Sequence, residues 1–110
     1  MKLVIWDRIA LKTIRDFPSP VRLEVGVLLR LLQKGELLGM PQSRPIKTVD
    51  VSAFELRVKD RSGAYRIIYI LYDIDRIFIP HAFTKKSQKT PLHEIKIAKQ
   101  RLKRLINEYQ

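Results

Sequence analysis

Several chemistries are excluded by residue types that this chain lacks or has in small number. No cysteine occurs among its 110 residues, so disulfide bonds, thiolate metal sites and a cysteine nucleophile are excluded, and a reducing cytoplasm is the expected location. Only two histidines are present, the acidic residues do not cluster, and no glycine-rich phosphate loop or Ser/His/Asp arrangement can be found by spacing. Hydrolase classes that depend on those motifs are therefore disfavoured, and no metal or cofactor is expected.

Long apolar segments are also missing. The apolar runs are too short to cross a bilayer, and the N-terminal segment lacks the apolar length and the small-residue cleavage site of a signal peptide. We therefore expect no contact with a membrane. A length of 110 residues, with 45% hydrophobic and 30% charged residues, is typical of one folded domain, which we expect to span residues 1–110.

Acidic residues are half as frequent as basic ones. The 11 Asp and Glu residues against 22 Lys and Arg residues give a formal net charge of +11. The excess is greatest in segment 84–104, which holds one acidic residue, Glu94, and eight basic ones. The basic residues are Lys85, Lys86, Lys89, Lys96, Lys99, Arg101, Lys103 and Arg104. This density favours a phosphate-rich or acidic partner, and the alternative is a solvated face that only keeps the protein in solution.

The first third of the chain predicts a strand followed by two helices. Leu3–Trp6 is a short apolar strand, and Asp7 is placed to cap a helix over residues 8–15. Ser19 is the expected N-cap of the second helix, whose apolar residues recur at helical spacing until Gly35 ends it. The two helices are expected to form an α-hairpin.

The middle of the chain changes to an alternating pattern. Residues 36–45 contain glycine and proline and predict a surface loop. Residues 54–59 place apolar side chains on one face and charged ones on the other, which predicts a half-buried strand. Turn signals then separate strands over 64–72 and 77–84, and Pro80 indicates a bulge or an interrupted edge in the last of them. These strands form an antiparallel meander.

The last element has the clearest helical pattern. Thr90 is the expected N-cap, with Pro91 at the first helical position. The residues that share the apolar face, and that we expect in the core, are Leu92, Ile95, Ala98, Leu102, Leu105, Ile106 and Tyr109. The order of strand, two helices, meander and packing helix predicts an α+β fold.

Cationic and hydrogen-bonding side chains gather on the sheet and at its end. They are Arg57, Lys59, Tyr65, Arg66, His81, Lys85 and Lys86. Arg66 shares a sheet face with apolar residues, so its charge needs a partner. An ion pair with Glu55 or Asp60 and a phosphate-binding role are both consistent with the spacing.

Two segments of the sequence are specific enough to suggest a family. The strings FELRVKDRSGAYRIIYILYD and IPHAFTKKSQKTPLHEIKIAKQRLKRLI resemble the RelE/ParE toxin superfamily of bacterial toxin–antitoxin modules, and most closely its HigB-type, phage-derived branch. The resemblance extends over about residues 1–107, with GAYRIIY and HAFTKKSQKTP its most specific parts. It implies a RelE-like fold, cleavage of messenger RNA on the translating ribosome, and a cognate antitoxin protein that neutralises the toxin.

The resemblance also implies roles for individual residues. Arg66 stands at the phosphate-contacting position, and Arg57 is a second cationic position in the preceding strand. Lys85, Lys86 and His81 are the candidate general base and acid, among which the sequence does not choose, and a contact of the two lysines with ribosomal RNA without proton transfer is equally consistent with it. The residues expected to contact RNA without catalysis are Lys59, Tyr65, Lys89, Lys96, Lys99 and Lys103.

Such an active site could cleave RNA without a metal ion. The 2′-OH of RNA is the nucleophile, so the site must accept its proton, stabilise charge on the phosphorane and protonate the leaving 5′-oxygen. A guanidinium can bond two phosphate oxygens, and crowding among cations can lower the pKa of a lysine toward neutrality.

Two other functions use different features of the sequence. A ParE-like inhibitor of DNA gyrase would share the fold but would not need the cationic cluster at the sheet end. A non-catalytic nucleic-acid-binding protein would lose affinity gradually as any basic residue is removed, with a steep dependence on salt.

Overall fold

A five-stranded sheet is the centre of the molecule. The computed structural model describes residues 1–87 and 89–109. Its strands are β1 (Leu3–Trp6), β2 (Ser43–Pro45), β3 (Ala53–Asp60), β4 (Gly63–Leu71) and β5 (Arg76–Lys85). Their order in the sheet is β1-β5-β4-β3-β2, and every pair is antiparallel except β1 with β5, which is parallel. The predicted meander is therefore confirmed as β3, β4 and β5.

The predicted irregularity at Pro80 is confirmed as a bulge. Ile68 of β4 lies opposite His81 of β5, but Ile70 lies opposite Phe78, so one residue of β4 faces two of β5 at this point. Proline has no amide hydrogen to donate to the ladder, and a bulge accommodates this loss within a strand that is otherwise paired on both sides.

The prediction that segment 36–45 is a loop is only partly right, because its last three residues form β2. Ser43 and Arg44 lie opposite Leu56 and Glu55 of β3, so β2 is an edge strand. A strand this short has too few residues to show an alternating pattern. Its position matters for the site, since it places the Arg44 side chain on the same sheet face as Glu55.

The N-terminal helices are α1 (Arg8–Arg15) and α2 (Ser19–Gln33). The Asp7 cap is confirmed, because its carboxylate accepts a hydrogen bond of 2.9 Å from the amide of Ala10. The prediction for Ser19 is wrong by one residue: Pro18 is the N-cap, and no side chain caps this helix. Gly35 ends α2 as predicted, with a φ of 91° that favours glycine.

The C-terminal helix α3 (Leu92–Tyr109) begins later than predicted. Thr90 does not cap it, because the Thr90 hydroxyl donates to Glu55, and the carbonyl of Pro91 accepts from Glu94 and Ile95 at the helix start. The ends of its apolar stripe are also not core: Leu92 is 74% exposed and Tyr109 47% exposed. Tyr109 still lies against the start of β5, where its ring centroid is 6.3 Å from that of Phe78 and its carbonyl accepts a hydrogen bond from Arg76.

The sheet separates two hydrophobic cores. Helices α1 and α2 pack on one face, and α3 packs on the other, so the architecture is the predicted α+β arrangement. Ala98, Leu102 and Leu105 carry the α3 contact, against Ile68 and Phe83 among others. Among the described residues, no helix has the length and apolarity needed to span a membrane. The sheet face that α3 covers also carries charged side chains, next to the segment that precedes the helix.

Candidate active site

Four cationic side chains surround one carboxylate on the α3 face of the sheet. Arg57 lies directly opposite Arg66 in the β3–β4 pair, and Glu55 lies opposite Arg44 in the β2–β3 pair. Lys85 ends β5 two residues beyond Phe83, which lies opposite Arg66. We call Arg44, Arg57, Arg66 and Lys85, with Glu55 between them, the cationic cluster.

Glu55 is the one acidic member of the cluster and is fully buried. Its Oε1 atom lies 3.4 Å from Nε of Arg66 and 3.7 Å from Nε of Arg44, and its Oε2 accepts a hydrogen bond of 2.7 Å from the Thr90 hydroxyl. Of the two interpretations of Arg66 that the spacing left open, the ion pair is present, with Glu55 rather than Asp60 as the partner. Four cations against one anion leave the cluster with a net positive charge, so a phosphate group could still be attracted.

Arg66 is 5% exposed, which is rare for an arginine. Its Nη1 donates to the carbonyl of Tyr65 over 3.2 Å. Burial lowers the pKa of Arg66, the charge of Glu55 opposes this shift, and Arg57 and Arg44 add to it. Among the described residues, the Nε atoms of Arg44, Arg57 and Arg66 are buried without a hydrogen-bond acceptor, and Oε1 of Glu55 is buried without a donor. The cluster therefore has more donors than acceptors, a condition in which an added oxyanion is stabilised.

Lys85 and Lys86 have different surroundings, although they are adjacent. Burial lowers the pKa of Lys85, and the nearby charges of Arg66 and Arg57 lower it further, while Glu55 opposes the shift. The sequence predicted such a shift from cation crowding, and the structure adds burial as the larger cause. Lys86 is exposed and lies beside Phe83 and Pro91, in a cleft of 420 Å³. Lys85 alone belongs to the cluster.

A cleft of 340 Å³ opens beside Arg57, Lys59 and Arg66. Its other walls are Glu24, Pro41, Gln42 and Val58. A larger cleft, of 560 Å³, lies beside Trp6 and Asp7 and does not include any residue of the cluster. The smaller cleft beside the cluster is the better candidate for binding a phosphodiester, because it has the cationic walls that such a ligand requires.

His81 lies on the same sheet face but takes part in a separate network. Its Nε2 lies 2.8 Å from Glu94 and its Nδ1 lies 3.0 Å from Nη1 of Arg101, and Arg101 in turn pairs with Asp7. Burial lowers the pKa of His81, Glu94 and Asp7 oppose the shift, and Arg101 adds to it. The structure does not bring His81 into contact with Arg66 or Lys85. In residues 1–87 and 89–109, no three His, Asp or Glu side chains converge as metal ligands.

The comparisons with known proteins identify a family. Residues 12–103 match the family described as "Phage derived protein Gp49-like". The chain belongs to this family. It is a RelE-type toxin family, so the predicted membership of the RelE/ParE superfamily is confirmed.

This Gp49-like protein is also similar to two solved structures. One is a mutant of the E. coli toxin RelE in the free state, with a TM-score of 0.49 and 22% identity over 94% of this chain and 97% of that chain. The other is the isolated E. coli RelE toxin, with a TM-score of 0.49 and 21% identity over 96% of this chain and 99% of that one. No protein with curated annotation matches the sequence.

The prediction that Tyr65 contacts RNA needs correction. Its ring is buried in the core beneath α1 and α2, on the opposite sheet face from Arg66, with the ring centroid 4.7 Å from that of Phe17. The Tyr65 hydroxyl forms a hydrogen bond with Ser62. Tyr65 therefore stabilises the fold of this Gp49-like protein and presents no ring face on which a base could stack.

The remaining lysines predicted to contact RNA are exposed. They are Lys59, Lys89, Lys96, Lys99 and Lys103. Of these, Lys59 borders the cleft beside the cluster, and Lys96, Lys99 and Lys103 follow one side of α3. The nearby Arg101 and Arg104 are instead engaged by Asp7, at 3.6 and 2.6 Å. Part of the basic C-terminal segment is thus used to fasten α3 to the sheet.

Two contributors to the site, Arg44 and Thr90, were not predicted from the sequence, whereas Glu55 was one of two candidate partners for Arg66. Glu55 was expected on a solvated strand face, and it is buried because Arg44, Arg66 and Thr90 cover it. The signal for Glu55 was the need of Arg66 for a counterion. No sequence signal marked Arg44 or Thr90, because their contacts join segments far apart in the chain.

Proposed function

We propose that this Gp49-like protein is the toxin of a type II toxin–antitoxin module, in the HigB-type branch, and that it cleaves messenger RNA on the translating ribosome. The observation that carries the proposal is the buried Arg66, held by Glu55 next to a lysine of lowered pKa and beside a cationic cleft. Residues 1–110 act as one toxin domain in the cytoplasm, where ribosomes and translated messages are found.

Cleavage requires three tasks, and the cluster supports two of them. Arg66 and Arg57 stabilise the charge that develops on the phosphorane, for which guanidinium groups have suitable geometry. Lys85, whose pKa is lowered, accepts the proton of the 2′-OH as its oxygen attacks phosphorus. The bond to the 5′-oxygen then breaks, and this oxygen takes a proton from a general acid.

Lys86 is the candidate for the general acid. It is exposed at the end of β5, next to Lys85, whereas both ring nitrogens of His81 already have side-chain partners. The products are a 2′,3′-cyclic phosphate and a 5′-hydroxyl, and the proton gained by Lys85 balances the one given by Lys86. No step requires a metal ion, because RNA supplies the nucleophile.

Two partners accompany this activity. The exposed lysines of α3 bind ribosomal RNA phosphates and so bring the cluster to the codon in the ribosomal A site. The cognate antitoxin has an acidic, partly disordered segment that orders against the basic surface, because a protein of charge +11 is steered toward opposite charge.

Induced expression in bacteria tests the proposal. The wild type, Arg66→Ala and Arg30→Ala are compared while the 5′ ends of a translated message are mapped with and without a block of translation. Arg30 is exposed on α2, outside the cluster, so Arg30→Ala makes the same change in net charge and serves as the matched control.

We expect cuts within the reading frame for the wild type and Arg30→Ala, and none for Arg66→Ala or when translation is blocked. Growth arrest with intact messages would contradict the proposal and favour the gyrase inhibitor. Equal, partial losses for the two arginine variants would instead favour a non-catalytic basic protein.

A further inference from the structure

Glu55, the one acidic residue of the cationic cluster, makes RNA binding at the cluster less favourable. A carboxylate lowers the positive potential that attracts phosphate, and its burial is unfavourable without compensation. Glu55 is nevertheless fully buried, between Arg44 and Arg66. Its presence therefore indicates a task other than attracting RNA.

Three separate elements fix the position of the Glu55 carboxylate. The backbone of Glu55 belongs to β3, Arg44 approaches from the edge strand β2, and the Thr90 hydroxyl donates to Oε2 from the segment before α3. The Oε1 atom makes no hydrogen bond among the described residues, and it lies between Nε of Arg66, at 3.4 Å, and Nε of Arg44, at 3.7 Å. A carboxylate anchored at one oxygen can direct a guanidinium at the other, since the ion pair is strongest when the two groups are held in place.

The orientation of Arg66 follows from this anchor. Its Nε edge faces Glu55, and its Nη1 donates to the carbonyl of Tyr65. Within residues 1–87 and 89–109 this is the one hydrogen bond that the Arg66 side chain makes, so Nη2 has no acceptor there. Because Arg66 also lines the 340 Å³ cleft, this arrangement leaves part of the guanidinium for a ligand in the cleft.

We propose that Glu55 is the positioning residue of the site: its buried carboxylate holds the guanidinium of Arg66 in the orientation that contacts a phosphodiester in the cleft. This inference rests on the proposed function for its biological meaning. Glu55 does not touch the substrate, and it acts through Arg66.

Removing the charge of Glu55 has two opposite effects on binding, and they can be separated. The substitution Glu55→Gln raises the positive potential of the cluster, which strengthens the attraction of any polyanion. It also releases Arg66, so the specific contribution of this arginine falls. A positioning role predicts that the contribution of Arg66 falls when Glu55 is replaced, whereas an additive effect of charge leaves that contribution unchanged.

A double-mutant cycle on the full-length protein measures this dependence. The affinities of the wild type, Arg66→Ala, Glu55→Gln and the double variant are measured for a fluorescent 2′-O-methyl oligoribonucleotide at fixed salt. The probe has no 2′-OH and cannot be cleaved. Glu36→Gln, at an exposed position after α2, is the control for loss of one negative charge.

We expect Arg66→Ala to weaken binding about tenfold when Glu55 is present and less than about twofold in the Glu55→Gln background. The same factor in both backgrounds, including no effect in either, would overturn the proposal. If Glu55→Gln does not fold, Glu55→Asp is used, which keeps the charge but retracts the carboxylate. An effect of Arg66→Ala in that background as large as in the wild type would again overturn it.

Cleavage of messenger RNA on purified ribosomes is measured with the same proteins. We expect Glu55→Gln to lower kcat while Glu36→Gln does not, even if Glu55→Gln binds the probe more tightly. A wild type that shows coupling in the cycle but no cleavage would contradict the proposed function and leave the positioning role supported. Cleavage without coupling would contradict the positioning role and leave the proposed function supported.

Discussion

Asp7 is the residue whose replacement should destabilise the fold most clearly. Its carboxylate is buried, caps α1 through the amide of Ala10, and accepts a hydrogen bond of 2.6 Å from Arg104. It also lies 3.6 Å from Arg101, whose side chain is 18% exposed. One side chain thus joins the start of α1 to the outer part of α3 across the end of the sheet.

The magnitude for Asp7→Ala follows from these contacts. Loss of an N-cap costs about 1 kcal/mol. Arg101 would lose the partner of a largely buried charge, at about 1.5 kcal/mol. The pair with Arg104, which is 57% exposed, contributes about 0.5 kcal/mol because solvent screens it. The total is about 3 kcal/mol, and with an unfolding entropy of about 2.1 cal/mol/K per residue it lowers Tm by about 13 °C.

Thermal unfolding followed by circular dichroism measures this effect. Asp7→Asn keeps the cap and loses the ion pairs, so we expect it to lower Tm by about 9 °C, which is less than for Asp7→Ala. Asp16→Asn removes an exposed charge just after α1 and should change Tm by less than about 2 °C. A decrease below about 3 °C for Asp7→Ala would refute the assignment of Asp7 as a structural link.

Three further predictions concern titration, catalysis and ribosome binding. Because burial keeps the pKa of His81 below its usual value of 6.5, the unfolded state binds a proton more readily, and stability is lost as pH falls below about 6.5. The decrease in Tm from about pH 7.5 to about pH 5.5 should therefore be smaller for His81→Asn than for the wild type, and equal decreases would contradict this. Lys85→Ala should slow single-turnover cleavage on ribosomes by at least about 100-fold and more than Lys86→Ala does, and the reverse order would exclude Lys85 as the base. Replacing three exposed lysines of α3 by alanine should make the plot of the logarithm of the ribosome-binding constant against the logarithm of the salt concentration less steep by about 2. Cleavage at saturating toxin should not change. An unchanged slope would place the ribosome contact elsewhere. These lysines are Lys96, Lys99 and Lys103.

Features of the fold that depend on neighbouring residues could be predicted from the sequence. The cap at Asp7, the helix end at Gly35 and the bulge at Pro80 each follow from the backbone chemistry of one residue type, and all three are present. Ser19 and Thr90 were wrongly predicted as caps by the same rules. Proline precedes or follows each of them, and the Thr90 hydroxyl binds Glu55, a contact that local rules do not include.

The candidate site was predictable in its charge but not in its geometry. The alternating pattern placed Arg57 and Arg66 on one face, and the need of a buried cation for a partner pointed to Glu55. Whether His81 faces Lys85 or Arg101 depends on how α3 lies on the sheet, and no periodicity reports that angle. Similarly, the burial of Tyr65 depends on the helices that cover the opposite face.

Cleavage by purified protein on programmed ribosomes tests the central claim most directly. A short messenger RNA is bound with a defined codon in the A site, and its products are compared for an all-ribose message, a message with one 2′-deoxy nucleotide at the scissile position, and the same RNA without ribosomes. We expect cleavage of the ribosome-bound ribose message alone, with 2′,3′-cyclic phosphate and 5′-hydroxyl ends, and no cleavage by Arg66→Ala. Cleavage of the 2′-deoxy message, cleavage of free RNA at the same rate, or no cleavage by the wild type would contradict the account.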